Sequence, residues 1–476
     1  MKPAEATAPA AAAERSASVR AVVGLLVLFE LTSGFLQGGI APLLPEIGHE
    51  LGIPDAQLSW VLSAQLLAAA VSVPVLGRLG DLHGHRRVLR GALGCVAAGT
   101  LLVAFAPSWP VLLAGRVLMG PLAALLPLEI ALVRDRLPVD AARSAIARLV
   151  GSLALGTLLG GVVMGAVQEA TGDVRTTLLV PAVLAVACVP VSFLAVPESA
   201  RAAGGRLDWP GAALLSLTMV LLLSGISAAQ DAGRLSGGVL GLLLLAVLLG
   251  GVWTVVELRT PEPLVDVRAL TDRRVAPFFL GAFAFGVVYF GSQSPEATFL
   301  AADPERTGYG FGLSALSISL VALPAAVTAV IASSLTARIA GRLGYVAAVA
   351  LAFVLIGVSF LVTALLHEAL WQLAAAKVLA GLGTGVALGA IPTVIAEGSD
   401  RSRTGVTTAL YNNVKTLGGA VAGGVMASVL AASASGGRGD GTPAESGYVA
   451  VWLLCAVLAF GAAAVTATAT ATARRR

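Results

Sequence analysis

Long apolar runs separated by short polar stretches recur along the chain from about residue 21. A helix needs about 20 apolar residues to cross the hydrocarbon core of a bilayer. The runs predict spans at 21–43, 57–77, 88–106, 109–132, 145–167, 177–196, 209–229, 236–257, 275–301, 311–335, 344–366, 369–395, 404–432 and 448–471, fourteen in all. Backbone polar groups in lipid must be satisfied within their own segment, so the runs read as helices and the fold class as all-α and polytopic. Residues 1–20 are Ala-rich and polar and are expected to form a disordered tail. The first apolar run is too long for the core of a cleavable signal.

Composition removes the main alternatives. Of 476 residues, 57% are hydrophobic and 12% charged, with a mean hydropathy of +0.89. A soluble domain carries about 25% charged residues, so lipid is the solvent for most of this chain. The net charge is +4, but the basic residues are scattered in short loops with no aromatic-interleaved stripe, and no nucleic-acid partner is expected. Cys95, Cys188 and Cys455 lie inside apolar runs and read as small core residues. The histidines (His49, His83, His85 and His367) are split between the two sides, so no metal site is expected. There is no phosphate loop, no nucleophile–base set and no potassium-type filter, so neither an enzyme nor a cofactor is expected.

The basic residues orient the spans. An even number of helices puts both termini on one side. With that side taken as cytoplasmic, 24 Lys and Arg fall inside, 4 outside and 3 (Arg116, Lys377 and Lys415) within spans, which accounts for all 31.

The chain also repeats. Gly77-Arg78-Leu79-Gly80 after span 2 matches Gly341-Arg342-Leu343-Gly344 after span 10. Arg116-Val117-Leu118 with Gly120 matches Lys377-Val378-Leu379 with Gly381. Gly156, Gly160 and Gly161 match Gly419, Gly423 and Gly424. The offsets are 264, 261 and 263 residues, and each match skips eight spans. Eight is even, so the copies share one orientation, a parallel repeat. Two six-helix bundles follow, at 21–196 and 275–471. A linker at 197–274 holds two extra helices, and 472–476 forms a basic tail.

The segment from Gly77 to Leu89, with Gly77, Arg78, Gly80, Asp81, Gly84, Arg86 and Arg87, resembles the loop 2–3 signature of the major facilitator superfamily. Leu112 to Gly120 is similar to its span 4 motif, and Gly156 to Gly161 resembles its span 5 antiporter motif, with Thr157 in place of proline. Arg206 to Gly211 and Pro261 to Asp266 are similar to connectors of the fourteen-helix drug/proton antiporter branch. The resemblance covers the chain from about residue 21. It implies a multi-pass protein of a bacterial cell membrane with cytoplasmic termini. The expected activity is proton-coupled export of small amphipathic compounds by a monomer. A nutrient importer or uniporter is the alternative, and a non-transporting receptor or assembly factor a third reading.

The branch carries an acid nine residues before the proline that closes span 1. Here that place is Leu36, beside Gln37, and the one acid of span 1 is Glu30. Glu30 lies about ten residues in, ~15 Å deep at ~1.5 Å per residue, where an ionised carboxylate is costly unless paired or wet. It is the candidate proton carrier, and Arg116 is expected to approach it. Lys377 and Lys415, the latter beside Asn412 and Asn413, have no evident acidic partner in mid-membrane, and a cavity cation there would favour anionic or zwitterionic substrates. Gln37, Trp60, Gln65 and Gln293 complete the expected cavity lining, while Glu296 and Glu129 are expected at the interfaces. In the 2–3 loop, Asp81 is expected at a helix N-terminus. Arg78, Arg86 and Arg87 are expected to pair with acids such as Asp135, holding the inner side shut. The span 5 glycines are expected to pack tightly against a neighbouring helix.

Overall fold

A computed structural model describes residues 8–137, 139–195, 208–231, 237–261, 263–265, 267–272, 274–398, 404–434 and 442–473. Its spans are α1 (Gly24–Leu51), α2 (Asp55–His83), α3 (His85–Ala104), α4 (Trp109–Arg134), α5 (Arg148–Thr171), α6 (Val174–Phe193), α7 (Trp209–Asp231), α8 (Gly237–Arg259), α9 (Ala276–Ala301), α10 (Ala315–Leu343), α11 (Tyr345–Leu365), α12 (Leu370–Ile395), α13 (Leu410–Ala434) and α14 (Glu445–Thr468). Among the described residues, all but α7 are long and apolar enough to cross a membrane, and α7 holds a shorter apolar stretch, Trp209–Leu222. The chain is helical from Ala8, so the tail expected to be disordered is helical over its described part. Residues 1–7 and the terminal arginines, Arg474 to Arg476, lie outside the described residues.

Proline shapes the spans, because it lacks an N–H and its ring collides with the carbonyl four residues back. α1 passes into a 3₁₀ turn at Ala41–Leu43, then a short helix, Leu44–Leu51, which Gly52 ends at φ 62°. That helix buries Leu44 and Ile47 and carries Glu46 in its first turn. α4 holds a 3₁₀ stretch at Gly120–Ala124 around Pro121, and α9 breaks at Ser292 ahead of Pro295.

Two cores form. Leu26, Phe29, Leu58, Leu93, Leu128 and Leu149 belong to the core of α1–α6. Phe285, Phe353, Ile391, Met426 and Trp452 belong to the core of α9–α14. In the first bundle α1 packs on α5, α2 on α4 and α3 on α6; in the second α9 packs on α13, α10 on α12 and α11 on α14. The close approaches match residue by residue. Gly34 lies against Leu153 as Gly286 lies against Lys415, and Gly39 against Met164 as Gly291 against Met426. Gly156 faces Leu31 and Phe35, while Gly418 faces Phe283 and Val287. Gly156 therefore corresponds to Gly418, an offset of 262 rather than the expected 263. One residue is about 100° around a helix, so the sequence match had paired faces that point in different directions.

The bundles meet through α2 with α13 and α5 with α10, which are exchanged copies of one contact. Gly423 sits on Ser63 and Ser59, and reciprocally Ser319 Oγ donates to the carbonyl of Gly161 at 2.7 Å. Ala56 of α2 is buried in the second core and Ala315 of α10 in the first. Trp60 packs with Ala427. All these residues lie toward the face opposite the α2–α3 turn, here called the far face. α7 touches both α2 and α13, and α8 pairs with α7 while most of its surface faces outward, Val247 being 68% exposed.

Candidate functional site

Glu30 of α1 and Glu129 of α4 are both 0% exposed. Among the described residues none of their carboxylate oxygens has a hydrogen-bond partner. The two groups lie within range of each other's charge, with Cys188 of α6 beside them. Cys188 Sγ donates to Thr32 Oγ1 at 3.5 Å, which joins α6 to α1 two residues beyond Glu30. The site is thus a pair of carboxyl groups inside the first bundle. Glu129 was expected at the interface because it falls three residues from the predicted end of its span. The helix instead continues to Arg136 and turns Glu129 inward. Two unpaired carboxylates in hydrocarbon cost more than one, so the pair is least costly there when its groups carry protons.

Arg116 is not the partner of Glu30. It is 3% exposed, and its Nε donates to the carbonyl of Val61 at 2.8 Å while Nη1 lies 3.7 Å from Met119 Sδ. The guanidinium ties α4 to α2. A cavity beside it, lined by Phe35, Leu36, Thr100, Met164 and Leu178 among others, leaves about 20 Å³ for a water centre, room for a single water.

In the second bundle Lys377 Nζ of α12 donates to Glu296 Oε2 of α9, and the side chains are 20% and 17% exposed. The expectations that Lys377 lacks an acid and that Glu296 is interfacial are both corrected. The residues are 81 apart in sequence, and the break of α9 at Ser292 carries Glu296 inward. Lys415 Nζ stands 5.7 Å from the centre of the Tyr411 ring, with no ion pair among the described residues.

The other expected lining residues divide. Gln37 is exposed and donates to Ser33 O at 3.3 Å; Gln293 is half-buried and donates to Tyr289 O at 3.2 Å. Asn412 and Asn413 are half-buried. Trp60 and Gln65 are both buried, Trp60 against Ala427 at the inter-bundle contact, so neither lines an open surface here. In the 2–3 loop Gly84 has φ 92° and separates α2 from α3, and Gly80 lies against His85 and Leu128. Nothing approaches the Cβ position of Gly77, so close packing does not require a glycine there. Asp81 occupies the last turn of α2 rather than a helix N-terminus, and lies 3.3 Å from His85 Nε2 at the start of α3. Arg78 and Arg86 are half-buried and Arg87 is exposed; the side chain of Asp135 lies outside the described residues. Gly156 and Gly160 face the α1 backbone, as expected of packing glycines, while Gly161 faces α10 across the bundle seam.

Known proteins place this arrangement. The Major Facilitator Superfamily profile matches residues 26–423. A probable actinorhodin transporter of Streptomyces coelicolor is 27% identical over 92% of this chain and 76% of that protein. The multidrug efflux pump LfrA of Mycolicibacterium smegmatis is 27% identical over 83% and 77%. A uridine/deoxyuridine transporter of Lactococcus lactis is 27% identical over 78% of each chain. Among solved structures, the peptide transporter POT with sulfate superposes with a TM-score of 0.70 at 15% identity, covering 95% of this chain and 94% of that one. The nucleoside transporter NupG gives 0.67 at 13%, covering 93% and 98%. With its two matched six-helix bundles and a family profile spanning most of its length, the chain belongs to the Major Facilitator Superfamily, a family of membrane transporters and not enzymes.

Proposed function

We propose that this transporter exports small amphipathic compounds in exchange for protons, from a bacterial cell membrane with both termini in the cytoplasm. The observation that carries the reading is the unpartnered buried pair Glu30 and Glu129. Such a pair holds a proton when sealed in hydrocarbon and releases it when water reaches it. The basic-residue count supports a cytoplasmic α2–α3 turn; on that reading the contact between the bundles closes the outer side, and the path between them opens inward. Export then proceeds as the bundles rock about the central site, and proton uptake and release by the pair biases that motion. Two relatives named as a probable actinorhodin transporter and a multidrug efflux pump support the class of cargo.

Everted membrane vesicles test it. Adding pyrene-1-butyrate to vesicles with an acid interior is expected to collapse the pH gradient. Glu30→Gln and Glu129→Gln abolish that collapse while binding persists. Retention of gradient-driven export in both variants would refute the role of the pair. A second reading, facilitated movement of a small nutrient, is favoured by the relative named as a uridine/deoxyuridine transporter. It predicts flux of the compound with no proton movement.

A further inference from the structure

The three cations inside spans are used differently. Arg116 is bonded to Val61 and Lys377 to Glu296, whereas Lys415 has neither an acid nor a hydrogen-bond acceptor among the described residues. A charge left so inside a membrane is costly. Such a cost is kept where a ligand repays it.

The direction of Lys415 follows from its helix. Gly418 is turned to α9, against Phe283 and Val287; Gly419 is turned to the seam between α9 and α2, its Cβ position 2.5 Å from Phe290 Cδ2 and 2.9 Å from Leu66 Cδ1. At about 100° per residue, Lys415 falls on the arc between them, about 60° from the first and about 40° from the second. It therefore faces the space between α2 of one bundle and α9 of the other. It also sits one turn toward the cytoplasmic side of Gly419, just beneath the contact that closes the far face. Tyr411, one turn further along the same arc, is 6% exposed, and its hydroxyl has no partner. The ammonium, 5.7 Å from the centre of the Tyr411 ring, and the unpartnered phenol hydroxyl thus lie one turn apart on the same arc, with no acid or oxygen acceptor for either among the described residues. The ring of Phe290 and the side chain of Leu66 meet at Gly419 above them and give an apolar wall. The acids inside the spans are elsewhere, Glu30 with Glu129 and Glu296 on Lys377.

We propose that Lys415 and Tyr411 form the binding pole for the charged end of the substrate, and that the substrates are amphipathic organic anions, a carboxylate or phenolate on an aromatic or apolar body. The proposal rests on the reading that the inter-bundle space is the transport path and deepens it by naming the substrate class. An anion accepting from both donors gains about 1.5–3 kcal/mol per charged hydrogen bond, which is about tenfold or more in affinity.

The test is equilibrium binding to the purified full chain in lipid nanodiscs, with pyrene-1-butyrate and its uncharged methyl ester as matched probes. The acid is expected to bind about tenfold more tightly than the ester. Lys415→Gln removes that preference without weakening ester binding, and Lys415→Arg keeps it. Equal affinity for acid and ester, failure of either to bind, or an unchanged preference in Lys415→Gln would each overturn the site. Binding is read without a proton gradient, so it is independent of coupling. A Glu30→Gln protein that keeps the anion preference but loses antiport leaves the site standing, and a wild type that binds anions yet moves no protons sinks only the antiport reading.

Discussion

Gly165 of α5 is the position at which a single methyl group should change the conformational balance of the protein. A Cβ built there lies 2.6 Å from Leu316 Cα, 2.7 Å from Leu316 N and 2.9 Å from the carbonyl of Ala315, all of them backbone atoms of α10 in the opposite bundle. Backbone cannot rotate aside as a side chain can, so Gly165→Ala is relieved only by moving the helices apart. Overpacking of this kind costs about 1–3 kcal/mol. The contact exists only while the far face is shut, so the cost falls on that state and not on the fold. The equilibrium should move toward opening of the far face by about 5- to 150-fold. Gly151 on the same helix is the control: nothing lies within 4 Å of its Cβ position. There the exchange removes a flexible residue from a helix and should stabilise by about 0.5–1 kcal/mol with no shift between states. The assay is alkylation of Ser63→Cys, a buried seam position, by a membrane-impermeant maleimide added from outside, in a background without the three native cysteines. Faster labelling in Gly165→Ala and an unchanged rate in Gly151→Ala are expected. Equal labelling in both would refute the view that these backbone contacts hold the far face shut.

Two further outcomes follow from other parts of the molecule. Lys377→Gln strands the half-buried carboxylate of Glu296 and should lower stability by about 1–3 kcal/mol, whereas the double change with Glu296→Gln should recover most of it; a double variant as unstable as the single one would show that the pair is not what the mutation disturbs. At the exposed start of α6, the carboxylate of Asp173 accepts from Thr176 Oγ1 at 2.6 Å and from its backbone N–H at 2.8 Å, which holds the group below the usual carboxylate range. A lowered value in the folded state gives stability that is present above the unfolded value and lost as pH falls through the folded one. The melting difference between wild type and Asp173→Ala should therefore be present at neutral pH and fade in acid, and a difference independent of pH would count against the hydroxyl contact.

The spans and the repeat could be read from the sequence because lipid imposes a length and an apolar content on every crossing. Side-chain partners could not, for reasons that particular residues make plain. Glu30 and Arg116 were matched by depth and by the neighbouring of spans 1 and 4 that the resemblance implies, but Arg116 reaches α2, and depth along a helix says nothing of the direction a side chain takes. Glu129 was judged by its distance from a predicted span end, and the continuation of its helix through Arg136 removed that end. Glu296 meets Lys377 only because α9 breaks at Ser292, a break that Pro295 signals in the sequence without fixing its angle. The repeat was found but read one residue out of register, because adjacent glycines at 418 and 419 look alike in sequence, while in space the first meets only α9 and the second reaches α2 of the other bundle as well. Lys415 was legible as an unpaired cation; what sequence could not supply was the surface it faces.

Infrared difference spectroscopy of the protein in lipid, recorded on adding pyrene-1-butyrate, tests most directly whether the Glu30–Glu129 pair carries the exchanged proton. Loss of a protonated-carboxyl band on substrate binding, present in wild type and missing in both Glu30→Gln and Glu129→Gln, is the predicted result. A band that persists unchanged in either glutamine variant, or a wild type in which substrate binding alters no buried carboxyl, would contradict it.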